Sequence, residues 1–327
     1  MPDAYLVLSY GGPNKPEDVV PFLRNATKGK GIPDERLEQV GEHYYMFGGK
    51  SPINELNDEL VEHLRDELAR RGNNTRVAIG NRNWEPYGND VIKALYDDGA
   101  RDILALATSA YQSYSSCRQY REDIARWMGE LDLPDLTIRK VRPFWGTEGF
   151  FKAILTAVSE GLSKAAEGSR LIFVTHSIPT AMDEASGTDH ELTYEKQHHA
   201  LAGRVATELG VSEWDMAYCS RSGSPRTPWL EPDICDHLEE LHEQGVTNVV
   251  LAPIGFISDH MEVLYDLDTE AKAKAEELGM GFVRADTVGV DPDFISQLAD
   301  LLENPGETFC SETCCWAGPK SPEFPAI

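Results

Sequence analysis

The chain of 327 residues is 41% hydrophobic and carries a formal net charge of −25. Its length and composition indicate a globular protein with a large core and room for two domains. The acidic balance disfavours nucleic acid and anionic membrane surfaces as partners, because both attract basic fields. No stretch of about 18 apolar residues and no basic leader segment occur, so we expect a soluble, cytoplasmic protein without membrane insertion.

Short apolar runs alternate with amphipathic segments along the chain. Eight runs have the length of buried strands, at residues 5–9, 76–80, 103–107, 137–141, 171–175, 215–219, 248–253 and 282–285. The segments between them show helical periodicity, and the predicted helices include residues 54–71, 90–98, 119–128, 150–165, 191–209, 233–244 and 259–278. Such alternation is typical of parallel sheets that helices cover on both faces.

The predicted strands divide into two sets of four that have similar motifs at their ends. Residues 10–13 (YGGP) follow the first strand of one set, and residues 176–179 (HSIP) follow the first strand of the other. We therefore predict an α/β fold of two similar doubly wound domains, at residues 1–150 and 151–304, with a cleft between them. The last helix is a candidate for packing on the first domain, and residues 305–327 are predicted to form an irregular tail containing cysteines.

Several polar side chains follow the carboxyl ends of predicted strands, which is where open parallel sheets bind ligands. Downstream of one such end, Glu262, Asp266 and Glu270 recur every four residues. Residues four apart share one face of a helix, so these three form a row of carboxylates, here called the acid ladder. Like charges at that spacing repel one another, and a row of oxygen ligands suits a divalent cation. A solvated acidic face is the alternative interpretation in so acidic a chain.

His176 is the strongest single candidate for a catalytic residue, because it directly follows a predicted apolar strand. Its imidazole titrates near neutral pH and can accept a proton or bind a metal. We expect it to face Glu262, the ladder member nearest to its strand end, so that the pair handles both metal and protons. A hydrogen-bonded core histidine is the alternative.

A further group of residues consists of candidate ligand contacts, namely Tyr10, Lys28, Lys30, Ser51, Tyr120 and Trp229. Tyr10 can serve as a pocket wall, a phenolate ligand or a hydrogen-bond donor, and Trp229 as a second wall or a packing residue. The two lysines form a small basic island that is either a solvated turn or a site for ligand carboxylates. In the second case, the hydroxyls of Ser51 and Tyr120 would assist.

Five motifs resemble those of the ferrochelatase family and occur in the family order. They lie at residues 8–13 (LSYGGP), 48–54 (GGKSPIN), 175–179 (THSIP), 228–233 (PWLEPD) and 253–262 (PIGFISDHME), and the resemblance covers residues 4–303. It implies two Rossmann-like domains, a porphyrin cleft between them, and insertion of Fe²⁺ into a porphyrin during haem biosynthesis. It further implies that His176 and Glu262 face the porphyrin centre, with Asp266 and Glu270 behind Glu262 and Tyr10 on the opposite porphyrin face.

The tail contains three cysteines within six residues, Cys310, Cys314 and Cys315. Some ferrochelatases, including actinobacterial-looking ones, hold a [2Fe–2S] cluster with three C-terminal cysteines and one from the body, and the chain resembles that subgroup. Such a cluster needs four thiolates, and Cys117 is the preferred fourth ligand, with Cys219 second. The adjacent pair in the tail departs from the wider family spacing. Structural zinc and incidental thiols are the alternatives.

The stretch at residues 14–33, which corresponds to the apolar lip of membrane-associated ferrochelatases, is mixed and polar here. This favours the four-carboxylate coproporphyrin III as substrate and coproheme as product. Protoporphyrin IX is the first alternative. A chelatase for a corrin or sirohydrochlorin precursor and a non-enzymatic haem or metal carrier are the others. Transient contact with neighbouring enzymes of the haem pathway is expected as well.

Overall fold

Eight parallel strands form two separate four-stranded sheets in the computed structural model, which describes residues 1–29, 31–187, 192–222, 226–308 and 310–316. The first sheet contains β1 (Ala4–Ser9), β2 (Arg76–Asn81), β3 (Asp102–Ala107) and β4 (Thr137–Lys140). The second contains β5 (Arg170–His176), β6 (Trp214–Cys219), β7 (Asn248–Ala252) and β8 (Gly281–Arg284). The strand orders, β2-β1-β3-β4 and β6-β5-β7-β8, follow the same pattern. All eight predicted strands are present within one residue of the predicted bounds, and the predicted fold class is confirmed.

Helices cover both sheets. Those associated with the first sheet are α1 (Val19–Ala26), α2 (Asp34–Tyr45), α3 (Ile53–Arg70), α4 (Gly88–Asp97) and α5 (Gln119–Leu131). The later ones are α6 (Glu148–Lys164), α7 (Thr180–Glu184), α8 (Tyr194–Glu208), α9 (Ile234–Glu243), α10 (Lys272–Glu277) and α11 (Pro292–Glu303). A short 3₁₀ turn (Pro16–Asp18) precedes α1. In the described parts of the chain, no helix is both long enough and apolar enough to cross a membrane.

Two π-helices occupy equivalent positions in the two halves of the chain. The first (Tyr114–Arg118) follows β3, and the second (Val263–Ala271) follows β7. In the second, the Lys272 N–H donates to the carbonyl of Leu267, five residues earlier. The α-helix predicted from residue 259 is therefore wrong in its first half, because the helical segment starts after His260 and continues with π geometry. π-helices are rare and occur frequently at functional sites.

The carboxyl ends of the central strands β1 and β5 carry residues of the candidate site. β1 is buried throughout and β5 is buried between its two end residues, which explains the apolar runs within them. Because strands in a parallel sheet share one direction, the residues that follow them meet at one edge. Tyr10 lies at that edge of the first sheet and His176 at that of the second.

The last helix, α11, packs against α3 and α6 in one apolar core. Gly149 at the start of α6 permits this approach, because a Cβ there would lie 2.5 Å from the carbonyl oxygen of Asp293. Arg71, directly after α3, bonds to Asp300 and to Glu303 of α11. The last helix thus contacts elements on both sides of residue 150, and a division of the chain at residues 150 and 304 stays a proposal.

Candidate active site

His176 is the last residue of β5, and its ring is oriented by its own backbone. The Nδ1 atom lies in hydrogen-bond contact with the carbonyl of Ser177. A carbonyl can only accept, so Nδ1 carries a proton and Nε2 is left to face the cleft. Nε2 is therefore the atom that can take up a proton or a metal ion.

Glu262 lies opposite this nitrogen, just before the second π-helix. Its Oε1 is 3.5 Å from His176 Nε2, and the two side chains are 45% and 32% exposed. Burial opposes both charges, but their mutual attraction outweighs it. The pKa of His176 is raised above its ordinary value, and the pKa of Glu262 falls to about 2. Because solvent reaches both side chains in the open cleft, the pair contributes little to stability.

His260 completes this group and was not predicted as a site residue. Its Nδ1 accepts a hydrogen bond from the Glu262 N–H at 3.2 Å, so its proton resides on Nε2, which lies 3.7 Å from Glu262 Oε2. Burial lowers the pKa of His260 despite the neighbouring carboxylate. Glu262 therefore lies between two imidazoles, of which His260 is neutral. A histidine two residues from a carboxylate carries no distinctive sequence signal.

The remainder of the acid ladder leads toward solvent. Asp266 is half-buried and accepts a hydrogen bond from the hydroxyl of Ser220, at the end of β6, whereas Glu270 is exposed. Burial, together with the charges of Glu262 and Glu270, raises the pKa of Asp266 to about 7. Glu270 is thus the exposed end of the ladder, whereas Glu262 and Asp266 are both partly exposed, and the predicted depth of Glu262 relative to Asp266 stays a prediction.

Tyr10 lies across the cleft, at the end of β1, and is 42% exposed. Its ring contacts Phe22 edge-on, and the guanidinium of Arg82 lies 5.9 Å from its centre. Desolvation raises the pKa of Tyr10 to about 12 against the opposing charge of Arg82, and the charge of Glu262 contributes to the rise. Tyr10 is thus a neutral phenol facing the same cleft as Glu262.

A stacked ring pair joins the two sides of the cleft. His43 of α2 and Tyr265 of the second π-helix stack with ring centres 3.8 Å apart and an interplanar angle of 10°. Behind this pair, the pKa of Tyr44 is raised by burial and by the charges of Tyr10 and Glu262. The second π-helix is therefore held from the first half of the chain.

The other predicted ligand contacts differ widely in exposure. Ser51 and Tyr120 are 3% and 4% exposed, and Lys28 is exposed. Lys30 lies outside the described residues. Trp229 is partly buried beside the loop after His176, and its Nε1 is buried without a hydrogen-bond partner. Contacts of these residues with a ligand stay predictions.

The tail contacts the segment that follows Cys117, because Arg118 and Arg121 donate to the carbonyls of Cys314 and Cys310. Cys117 is buried within the first π-helix, and Cys314 and Cys315 are buried with their Sγ atoms 3.8 Å apart. The other candidate, Cys219, is buried at the end of β6, where desolvation and Asp266 raise the pKa of its thiol. Among the residues that the structure describes, no group of three or more His, Cys, Asp or Glu side chains is arranged to hold a metal ion.

Comparison with known proteins decides the family. The family model described as ferrochelatase matches residues 2–305. The chain belongs to the ferrochelatase family. A Streptomyces coelicolor protein named coproporphyrin III ferrochelatase is 49% identical over 322 residues, which cover 93% of this chain and 86% of that protein. Proteins of the same name from Corynebacterium glutamicum (strain R) and Mycolicibacterium smegmatis are each 45% identical over 92% of this chain, covering 83% and 89% of their own lengths.

Solved structures show the same fold for this ferrochelatase family member. SirB from Bacillus subtilis with Fe³⁺ superposes with a TM-score of 0.55 at 14% identity, covering 93% of this chain and 96% of SirB. The sirohydrochlorin chelatase SirB from Bacillus subtilis subspecies spizizenii in complex with cobalt gives 0.53 at 13% identity, covering 93% and 95%. The two-sheet architecture is thus a chelatase fold, and the family assignment makes the protein a metal chelatase.

Proposed function

We propose that the protein inserts Fe²⁺ into coproporphyrin III and releases coproheme in the cytoplasm, where transient contact with neighbouring haem-pathway enzymes would pass the product on. The observation that carries the reaction type is the pair formed by His176 Nε2 and Glu262 Oε1, 3.5 Å apart, at the cleft edge of a chelatase fold. Support for the substrate comes from relatives at 45–49% identity, which are named coproporphyrin III ferrochelatases.

Metal insertion exchanges one Fe²⁺ for the two N–H protons of the porphyrin, so the site must release metal and accept protons. Glu262 is ionised at neutral pH, because its pKa is about 2, and it binds a cation without first losing a proton. His176 presents Nε2 toward the same point. His176, Glu262, Asp266 and Glu270 are accordingly proposed as the iron-handling residues, with Asp266 and Glu270 on the solvent side.

Charged groups around the lip suit a substrate with four carboxylates. Lys28 is exposed, whereas Arg24 is bonded to Asp34 at 2.9 Å. Lys28 and Lys30 are proposed to attract substrate carboxylates, and Tyr10 and Trp229 to contact the macrocycle. Ser51 and Tyr120 are proposed as hydroxyl partners of the substrate.

The test is a direct comparison of substrates. Metal-free coproporphyrin III and protoporphyrin IX are each incubated anaerobically with Fe²⁺ and purified protein, and loss of porphyrin fluorescence is followed. We expect kcat/KM to be higher for coproporphyrin III. Equal or higher kcat/KM for protoporphyrin IX would contradict the proposed substrate. Binding of either porphyrin without turnover would instead indicate a carrier.

We further propose that Cys117, Cys310, Cys314 and Cys315 bind a [2Fe–2S] cluster. A bound cluster would cross-link the tail to the body of the protein through four thiolates. The four thiols do not converge on one point among the described residues, so a cluster would draw the tail cysteines closer to Cys117. Supporting the proposal, the Gly187 N–H donates to Cys315 Sγ at 3.4 Å, so the sulfur lies within reach of a backbone donor.

Three buried cations support the same site. Lys140 is 5% exposed and places its Nζ 3.4 Å from Cys117 Sγ. Arg118 donates to the carbonyl of Cys314 at 2.9 Å, and Arg121 donates to that of Cys310 at 3.1 Å. Burying a cation is unfavourable unless an anion compensates it. Glu122 already compensates Arg118 at 2.8 Å, and thiolates at the proposed site would supply negative charge beside Lys140 and Arg121.

The purified protein is therefore expected to be reddish-brown, with visible absorption and with iron and labile sulfide in equal amounts. Serine substitution of Cys117 should remove the colour, whereas the same substitution at Cys235, which lies on α9, should not. Zinc without sulfide would support the structural-zinc alternative, and neither metal would support incidental thiols.

A further inference from the structure

A buried chain of polar side chains runs beneath His176. Its members are Thr175, which precedes His176 in β5, and Tyr194 and His198, which lie one turn apart on α8. Thr175 and His198 are 0% exposed and Tyr194 is 5% exposed. The first half of the chain contacts this group as well, because the ring of Tyr111 stacks on His198 at 3.5 Å.

The hydrogen positions in this buried polar chain follow from its contacts. His198 Nδ1 is 2.8 Å from the carbonyl of Tyr194, so Nδ1 must donate. Burial lowers the pKa of His198 to about 3, so the ring is neutral and its Nε2 accepts. Thr175 Oγ1, 2.9 Å away, must therefore donate to Nε2. Its lone pairs then remain free for another donor.

That donor is the hydroxyl of Tyr194, 2.8 Å from Thr175 Oγ1. The same hydroxyl lies 3.1 Å from the backbone carbonyl of His176. Its single proton is thus shared between Thr175 and the backbone of His176. This series of hydrogen bonds therefore starts at the neutral imidazole of His198 and ends at the backbone of His176, which faces Glu262.

The segment that follows β7 and leads to Glu262 contacts the same buried side chains. The Tyr111 hydroxyl donates to the carbonyl of Ile254 at 2.8 Å, directly before Gly255. A Cβ at Gly255 would lie 2.1 Å from Thr175 Oγ1, so only glycine lets this segment pass Thr175. The network beneath His176 therefore also fixes the backbone that carries Glu262.

We propose that Thr175, Tyr194 and His198 are positioning residues that hold His176 against Glu262 for metal insertion. None of them is exposed to the cleft, so they act through the backbone of His176 and not on the substrate. The inference rests on the proposed role of the His176–Glu262 pair. Misplacement of a reacting group by about 1 Å can cost a factor of about 100 in rate.

The first test removes one buried hydroxyl at a time. Tyr194→Phe should lower kcat about tenfold or more, with the KM for porphyrin changed less than about threefold, because positioning acts on the chemical step. Tyr5→Phe is the matched control. It also removes a buried tyrosine hydroxyl, which accepts from Asn73 at 3.0 Å in the first sheet. We expect it to lose comparable stability and to keep kcat.

A second pair keeps the proposal testable if Tyr194→Phe does not fold. Thr175→Val preserves the shape of the side chain but removes its hydroxyl, whereas Thr175→Ser keeps the hydroxyl. We expect the valine variant to lose kcat and the serine variant to retain most of it. Equal kcat in both, or a Tyr194→Phe variant as active as Tyr5→Phe, would overturn the proposal.

The kcat of each variant, relative to that of the wild type, is measured with whichever porphyrin the wild-type protein metalates. A wild type that prefers protoporphyrin IX contradicts the proposed substrate and leaves this comparison intact. A crystal structure of Thr175→Val gives a readout without turnover. We expect His176 Nε2 and Glu262 Oε1 to separate beyond their present 3.5 Å, and an unchanged distance would count against the positioning role.

Discussion

The two histidines that neighbour Glu262 have pKa values shifted in opposite directions. His260 is neutral, because burial lowers its pKa, whereas Glu262 raises the pKa of His176. A protonated His176 cannot accept a further proton at Nε2. In the proposed mechanism, the pair would therefore accept protons only as the pH rises through the raised pKa of His176.

Removal of His176 should abolish metal insertion without abolishing porphyrin binding. In His176→Ala, the nitrogen that faces Glu262 is lost, and the cleft walls across from it are unchanged. We expect turnover to fall below detection and the Kd for metal-free porphyrin, measured by fluorescence titration, to change only a few-fold. Near-normal turnover in a folded variant would remove His176 from the mechanism.

Glu262→Gln should change the pH profile as well as the rate. Because Glu262 raises the pKa of His176 against the effect of burial, its neutralisation lets that pKa fall. The acidic limb of kcat/KM, which reports the base in the free enzyme, should therefore move to lower pH. The maximal rate should fall, since a cleft carboxylate is lost. An acidic limb at an unchanged pH would show that His176 is not the titrating base.

The sequence could predict His176 and Glu262 but not the residues that support them. A histidine after an apolar strand and an acid after a glycine turn have local signals. Tyr194 and His198 do not, because their contacts with the end of β5 arise from packing between distant segments. His260 contacts Glu262 locally, but a histidine two residues from a carboxylate has no distinctive signal. The hydrogen bond between Tyr194 and the backbone of His176 joins residues that only the folded sheet brings together.

The second π-helix shows why spacing alone is ambiguous at the scale of an element. Asp58, Glu62 and Asp66 on α3 also recur every four residues, and all three are exposed. The pattern is therefore identical in a solvated helix face and in the acid ladder. What distinguishes the ladder is its place beside β6, where burial raises the pKa of Asp266 to about 7. The π-helix has a longer turn than an α-helix, but nine residues are too few for that difference to be read from the sequence.

Neutralising the outer ladder should raise stability and weaken the response to iron. An acid whose folded pKa is raised costs stability as the pH rises from its unfolded pKa toward about 7. Asp266→Asn with Glu270→Gln should therefore raise the melting temperature above pH 7 and have little effect below about pH 3, where Asp266 is largely protonated in both states. The KM for Fe²⁺ should increase if these oxygens pass metal inward.

Asp58→Asn with Glu62→Gln is the matched control on α3. It removes the same two charges at the same spacing from an exposed face. Steady-state kinetics against Fe²⁺ and thermal melts are recorded for both double variants. If the two double variants have the same KM for Fe²⁺, the acid ladder is only a solvated helix face, even if the protein inserts iron into a porphyrin.

At the scale of the whole molecule, the last helix, α11, returns from the second half of the chain to pack on α3 of the first half. Arg71 is 18% exposed and bonds to Glu67 on α3 and to Asp300 and Glu303 on α11. Its guanidinium also donates to the carbonyl of Ser296 at 2.9 Å. One side chain thus holds together segments more than two hundred residues apart in sequence. The strand pattern predicts the two sheets, but this return contact depends on the tertiary fold.

Arg71→Met should destabilise the protein without changing its chemistry. The substitution leaves three carboxylates without their shared cation, and hydrogen bonds to charged groups contribute about 2 kcal/mol each. We expect the free energy of unfolding to fall by about 2 kcal/mol or more, which lowers the urea midpoint. We expect kcat and KM to be unchanged, because the helix interface contains none of the cleft residues. Arg70→Met is the control, since Arg70 is 71% exposed and bonds only to Glu67 among the ion pairs of the described residues. It should leave the midpoint unchanged. Equal midpoints in the two variants would mean that apolar packing alone holds α11 on α3, and a changed kcat in Arg71→Met would mean that the return of α11 also shapes the cleft.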